Sequence, residues 1–256
     1  MGQALVRELR VDTRFRLTVA AASATSPLLG RDAAVEGTPA GISVSADGTA
    51  SLAGIAVALD FSLASAAAAH AAACADAGVP LLVGVTGCDA AGLHALEAAS
   101  RRIPVLIAPN TSLGVALVAR LAALAARALG ESYDAEIFEA HHRAKRDAPS
   151  GTALALGEAV AAARGGVLAD LAQFERTGSG APRRPGSIGF SVLRGGDIVG
   201  EHTVVFAGDG ERIEIAHKAS DRGSFARGAL HAARWLIGRD AGLYRMSDVL
   251  GLTEEA

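Results

Sequence analysis

The densest run of reactive side chains is Glu139-Ala-His141-His142-Arg143-Ala-Lys145-Arg146-Asp147-Ala-Pro149-Ser150-Gly151-Thr152. Two histidines, an arginine and a lysine fall within five residues, a cluster suited to an anionic ligand. Pro149 cannot continue a preceding helix and Ser150 is a good N-cap. The run therefore reads as a strand end, a loop and a helix start. Ser150, Gly151 and Thr152 would present unpaired backbone N–H groups and two hydroxyls at a helix N-terminus, which binds anions. Gly151 would let a ligand approach the backbone closely. The chemistry implied is capture of a small carboxylate or phosphate, with His and Lys available for proton transfer. Each part has a plainer reading: a His-His pair in a loop is often only solvated, and a Ser-Gly-Thr helix start is usually only a cap. The combination is more specific than its parts. No metal is expected, because the spacing is not His-Glu-x-x-His and no Cys or acid completes a zinc site.

The elements that must position this run divide at Tyr133. Before it, short apolar runs alternate with Ala-rich segments. Strands are expected over Phe15–Ala22, Ile55–Phe61, Leu81–Val85 and Val105–Ala108. Helices are expected over Ser62–Ala77, from Asp89 to Arg102, and over Ser112–Leu129. Such alternation implies right-handed βαβ crossovers and a parallel sheet, its strands apolar throughout because both faces are covered. After Tyr133 come a strand at Asp134–Glu139 and a helix at Ser150–Arg164. Three strands with polar alternation follow at Gly186–Arg194, Glu201–Phe206 and Arg212–Lys218. They suggest a mixed or antiparallel sheet with one covered face. An amphipathic helix at Gly223–Ile237 and a short closing segment at Leu243–Leu252 complete the chain. The Thr177–Pro185 run reads as a mobile loop. The fold class is α/β: a Rossmann-like parallel-sheet domain followed by an α+β domain with a mixed sheet. The expected domains are a dinucleotide-binding part, residues 1–111 and 222–256, and a substrate-binding and oligomerisation part, residues 112–221.

Composition narrows the function. The 256 residues are 50% hydrophobic, 20% charged and only 4% aromatic, a globular balance with little surface for base stacking. The net charge of −3 provides no field for nucleic acid or anionic lipid, so neither is an expected partner. The apolar stretch Leu52–Ala75 is broken by Asp60 and His70, which argues against a membrane span. Two cysteines, Cys74 and Cys88, make no disulfide framework, and no secretory signal is visible, so a cytoplasmic location is expected.

Glu139–Thr152 resembles the signature of the dihydrodipicolinate reductase family. So do Asp60–Ser62, Gly84–Gly87, Ala108–Gly114, Gly186–Phe190, Arg194–His202 and His217–Ser220, and the likeness extends over nearly the whole chain. The resemblance implies that His141 is the catalytic histidine and that Lys145 supplies a proton. It implies that His142 contacts substrate and that Gly151 and Thr152, beside Ser150, hold a substrate carboxylate. Gly84, Val85 and Thr86 would lie against the nicotinamide, and Ala108, Pro109, Asn110 and Thr111 would form a second cofactor loop at the hinge between domains. The implied reaction is delivery of a hydride from NADPH or NADH to a cyclic dicarboxylate after loss of water, in lysine and diaminopimelate synthesis. A dianionic ring needs cationic partners, and a developing ring carbanion or enamine needs an acid nearby. The implied assembly is a homotetramer through the mixed sheet.

Three features depart from the family pattern. Family members open with a strand and a Gly-rich turn, whereas Met1-Gly2-Gln-Ala-Leu-Val-Arg matches only the end of that turn and the helix behind it. The missing strand is central in such a sheet, so its neighbours are expected to show open edges. A start codon chosen downstream of the true one is favoured over a genuine truncation. Second, dinucleotide folds usually carry an acid about 20 residues after the glycines. Ala22 and Ser23 stand at that place here, which favours NADPH or dual use. Third, Val85 and Thr111 replace residues common in the family. The alternative function is a non-catalytic dicarboxylate-binding remnant.

Overall fold

The computed structural model describes residues 1–46, 52–176, 180 and 182–252. The chain divides into two compact units, Met1–Leu113 with Gly223–Ala256, and Gly114–Arg222.

The first unit runs α1 (Gly2–Leu9), β1 (Ala20–Ala21), β2 (Val44–Ser45), β3 (Ala58–Asp60), α2 (Ala64–Ala77), β4 (Leu81–Val83), α3 (Ala90–Ser100) and β5 (Pro104–Ile107). The helix boundaries follow local chemistry. Gly78, at φ 68°, closes α2 in the left-handed conformation, and its N–H is taken by Ala75 and Cys74 carbonyls. The Asp89 carboxylate caps α3 by accepting from the Gly92 N–H. Strands β4 and β5 are almost wholly buried, which is why their sequences carry no polar alternation. Leu81, Val83 and Val105 pack against Ala71, Cys74 and Leu96.

The second unit runs α4 (Leu113–Leu129), a 3₁₀ turn at Gly130–Ser132, β6 (Asp134–His141), α5 (Gly151–Ala163), α6 (Leu168–Leu171), β7 (Ala172–Gln173), β8 (Ile188–Arg194), β9 (Gly200–Gly208) and β10 (Glu211–Ala219). The chain then returns to the first unit as α7 (Gly223–Leu236), β11 (Gly242–Tyr244) and α8 (Met246–Val249). In the second unit the five-stranded sheet has the order β10-β9-β6-β8-β7. Strands β6, β8 and β7 are parallel, while β9 and β10 run antiparallel to their neighbours. Ile137, Phe190, Val204 and Phe206 face α4 and α5 through Val118, Ala122, Leu156 and Val160. Helix α4 with its 3₁₀ extension is long and apolar enough to cross a membrane by length and composition alone. Here Val118, Ala122 and Ala126 seat it on the sheet core.

The sheet of the first unit is parallel throughout, in the order β11-β5-β4-β3, with β1–β2 as a separate parallel pair. Among the described residues β3 pairs with β4 and β1 with β2. The strand anticipated over Phe15–Ala22 is reduced to Ala20–Ala21, because only these residues find ladder partners, Val44 and Ser45. The segment at Leu243–Leu252 contributes an edge strand, β11, and one helical turn. Residues 177–179 and 181 of the anticipated loop lie outside the described residues.

Candidate active site

Strand β6 delivers Glu139 and His141 at its carboxyl end, and the chain turns through residues 142–149 into α5. Ser150 caps that helix, its Oγ accepting from the Ala153 N–H at 3.2 Å. Glu139 is fully buried. Its carboxylate accepts from Arg194 twice, Nη1 to Oε2 and Nη2 to Oε1, each at 2.7 Å. It also accepts from the Ser150 N–H at 2.9 Å and lies 2.6 Å from His141 Nδ1. Burial, the largest single influence, pushes the Glu139 carboxyl up. The hydrogen bonds from Arg194, His141 and the Ser150 amide outweigh it and hold the group below the ordinary carboxylate range.

An ionised Glu139 can only accept, so His141 Nδ1 carries the proton and Nε2 presents a lone pair. Burial pushes the His141 pKa down, against the pull of Glu139, and the charges of Lys145 and Arg194 push it further. His141 is therefore neutral at pH 7. The space beside Nε2 is kept clear by Gly200, where a Cβ would stand 3.1 Å from that nitrogen. His202 packs edge-to-face on His141, ring centroids 5.1 Å apart. Its Nε2 lies 3.0 Å from Ser150 Oγ, and burial pushes its pKa down to about 4.

Lys145 stands in the same turn, its Nζ donating to both oxygens of Asp147 at 2.9 and 2.8 Å. His142 is half-buried and its carbonyl accepts from the Lys145 N–H. Gly151 opens α5 with no atom within 4 Å of where a Cβ would stand. The sequence run thus brings an ammonium, a neutral imidazole and the start of α5 into one turn, but Ser150 is not the unpaired donor expected: its N–H goes to buried Glu139 and its hydroxyl meets the Ala153 N–H and His202. Chemically it can bind an anion, donate a proton from Lys145 and accept one at His141. No group of three or more His, Cys, Asp or Glu that could hold a metal ion occurs among the described residues.

A family model for the dihydrodipicolinate reductase C-terminus matches residues 114–250, and its N-terminal counterpart matches residues 1–111. The 4-hydroxy-tetrahydrodipicolinate reductase of Nitrosomonas europaea is 47% identical over 98% of this chain and 94% of its own length. The chain belongs to the dihydrodipicolinate reductase family. The protein of the same name from Thiobacillus denitrificans is 59% identical over 57% of this chain and 54% of its own. Among solved structures, a dipicolinate-bound dihydrodipicolinate reductase from Paenisporosarcina sp. TG-14 superposes with a TM-score of 0.75 at 21% identity. It covers 95% of this chain and 92% of that one. An amine dehydrogenase from Mycobacterium smegmatis reaches 0.55 at 12% identity, covering 94% and 91%. At these identities the likeness is one of fold.

The residues anticipated for the cofactor fall in the first unit. Gly84, Val85 and Thr86 follow β4, and Ala108–Thr111 follow β5, at the carboxyl ends of adjacent parallel strands. Open parallel sheets bind ligands at that edge, so the placement fits a nicotinamide dinucleotide. The loops are pinned from below. The Gly84 N–H donates to the Asp60 carbonyl at 2.8 Å, and the Phe61 ring lies 2.1 Å from where a Gly84 Cβ would stand. Val85 and Ala108 are buried, while Thr86 and Pro109 are exposed. The Asn110 side chain accepts from the Ser112 N–H. The Thr111 hydroxyl donates to the Phe225 carbonyl at 2.6 Å, so it serves the fold. Ser23 is exposed at the end of β1, its Oγ 3.3 Å from Thr25 Oγ1.

Sequence reasoning did not single out Arg194, His202 or Asp147, nor give Glu139 a role. Arg194 and His202 come from β8 and β9, which flank β6, and only that strand order brings them to Glu139 and Ser150.

Proposed function

We propose that this chain reduces 4-hydroxy-tetrahydrodipicolinate to tetrahydrodipicolinate with a reduced nicotinamide dinucleotide, in lysine and diaminopimelate synthesis. The observation that carries the reading is Lys145 and the neutral His141 in one turn with the start of α5, open at Gly151. The bound dinucleotide supplies the hydride. The chain's own residues do the rest. Gly151 and Thr152 at the α5 N-terminus, with His142, hold a ring carboxylate, and Ser150, engaged by Glu139 and His202, fixes the start of that helix. Lys145 places its ammonium beside the ring and gives up the proton that must enter as the ring is reduced. His141 Nε2 accepts a hydrogen bond or proton, with Glu139 and Arg194 holding the imidazole in one tautomer. Gly84–Thr86 and Ala108–Asn110 hold the dinucleotide, and Thr111 anchors the second loop to the Phe225 carbonyl.

Ala22 and Ser23 put no carboxylate against a ribose 2′-phosphate, which supports use of NADPH, with NADH as the alternative. Phe138 and Leu193, exposed on the sheet face away from α4 and α5, support assembly of a homotetramer through that sheet. Two free thiols, Cys74 and Cys88, support a cytoplasmic location. The reading as a non-catalytic remnant is disfavoured by alignment to 94% of a curated reductase.

The test is oxidation of NADPH, and separately NADH, by this chain, with the labile substrate generated in situ by an aldol-type synthase. Substrate-dependent cofactor oxidation is expected. Binding of pyridine-2,6-dicarboxylate without any cofactor oxidation would support the remnant instead.

A further inference from the structure

Lys145 already holds a carboxylate. Its Nζ donates to both oxygens of Asp147, while its own side chain is 21% exposed and that of Asp147 is 60% exposed. The backbone beneath the pair is fixed. The Asp147 carbonyl accepts from Arg194 Nη2 at 2.6 Å, and Arg194 is in turn locked onto buried Glu139. The Lys145 N–H is tied to the His142 carbonyl. Glu139 cannot compete for Lys145, since Arg194, His141 and the Ser150 amide occupy its carboxylate. Within the turn, Asp147 is therefore the carboxylate available to the ammonium. It sits in solvent, where it can swing into water at little desolvation cost, and exposed ion pairs of this kind are weak.

We propose that Asp147 is a positioning residue that stands in for a substrate carboxylate on Lys145 and is exchanged for it when the dicarboxylate binds. The proposal rests on the reading of the site given above. Holding Lys145 at Asp147 fixes where the ammonium waits, and substrate must displace that exposed carboxylate, so Asp147 acts on binding as a weak competitor. The exchange on binding is carboxylate for carboxylate, and Lys145 keeps its charge and its place until the ring is reduced.

The test is calorimetric binding of pyridine-2,6-dicarboxylate to the full chain and to Asp147→Asn, each with Lys145 intact and with Lys145→Met, alongside steady-state kinetics. With Lys145 intact, Asp147→Asn removes the competitor and tightens binding about two- to fivefold, the value of an exposed ion pair. The substrate KM falls in parallel, whereas loss of a merely structural contact would raise KM or lower kcat. Asp147→Glu restores the original affinity. In the Lys145→Met background the same substitution has no such effect. Equal tightening in both backgrounds would reduce Asp147 to a diffuse negative charge and overturn the exchange. So would unchanged or weaker binding in Asp147→Asn while Lys145→Met still weakens it. Lys145→Met binding as well as the parent chain would instead overturn the reading of the site itself.

Discussion

Glu139 is buried in the sheet yet charged, and its four hydrogen bonds explain why it survives there. Removing Arg194 would leave an uncompensated carboxylate in the interior, which typically costs several kcal/mol. The cluster around it also sets a pH response. His202 titrates near 4 in the folded chain against an ordinary 6.5. Between these values the unfolded chain takes up a proton that the folded chain refuses, so stability is complete above pH 6.5 and is lost as pH falls. The loss from this one group approaches about 3 kcal/mol by pH 4. His141 and His217, also held below their usual values, add to the loss in the same direction. Urea unfolding at pH 7 and pH 4.5 should show this fall, with a shallower one in His202→Gln. An equal fall in that variant would mean that His202 is not the group refusing the proton.

The contiguous run Glu139–Thr152 was legible because strand end, turn and helix start follow one another in the chain, with Pro149 and Ser150 marking the boundary. Arg194 was not legible as a partner of Glu139, because the 55-position separation between them is closed by the parallel pairing of β6 with β8. His202 reaches Ser150 across 52 residues for the equivalent reason, through β9. Helix ends were clear at Gly78, Asp89 and Ser150, where single residues have capping chemistry. Strands were less so: Phe15–Val19 alternates apolar residues with Arg16 and Thr18 but lacks ladder partners, and the Gly242–Tyr244 strand pairs only with β5 among the described residues. At this scale the Gly84 loop makes a direct prediction. The Phe61 ring occupies the position of an added Cβ, so Gly84→Ala must push the loop off the end of β4. The dinucleotide KM should rise about tenfold or more, as 1.4 kcal/mol or more of binding is lost, while pyridine-2,6-dicarboxylate binds the second unit as before. Unchanged dinucleotide KM would mean that this loop does not hold the cofactor. Asp60, just before Phe61, pairs with His70 at 2.9 Å, and that hydrogen bond raises the His70 pKa. The stability it gives is present below pH 6.5 and fades as pH rises through the raised value, opposite in sign to the effect of His202.

The chain forms two compact units. One carries loops at the carboxyl ends of parallel strands, the habitual place for a dinucleotide, and on the proposed function these hold the cofactor. On the same proposal the other, with its cationic turn beside buried Glu139, holds and protonates the dianionic ring. Family membership and this turn point to the same chemistry from separate observations, one from likeness over 98% of the chain and one from side-chain geometry. The claim on which the account turns is that Lys145 supplies the proton as the ring is reduced. It is tested most directly by kcat for substrate-dependent NADPH oxidation in the parent chain and in Lys145→Ala, with NADPH affinity measured in both. The account predicts a fall in kcat of about a hundredfold or more, the usual scale for a lost general acid, with NADPH affinity preserved. Turnover by Lys145→Ala at the parent rate would contradict it.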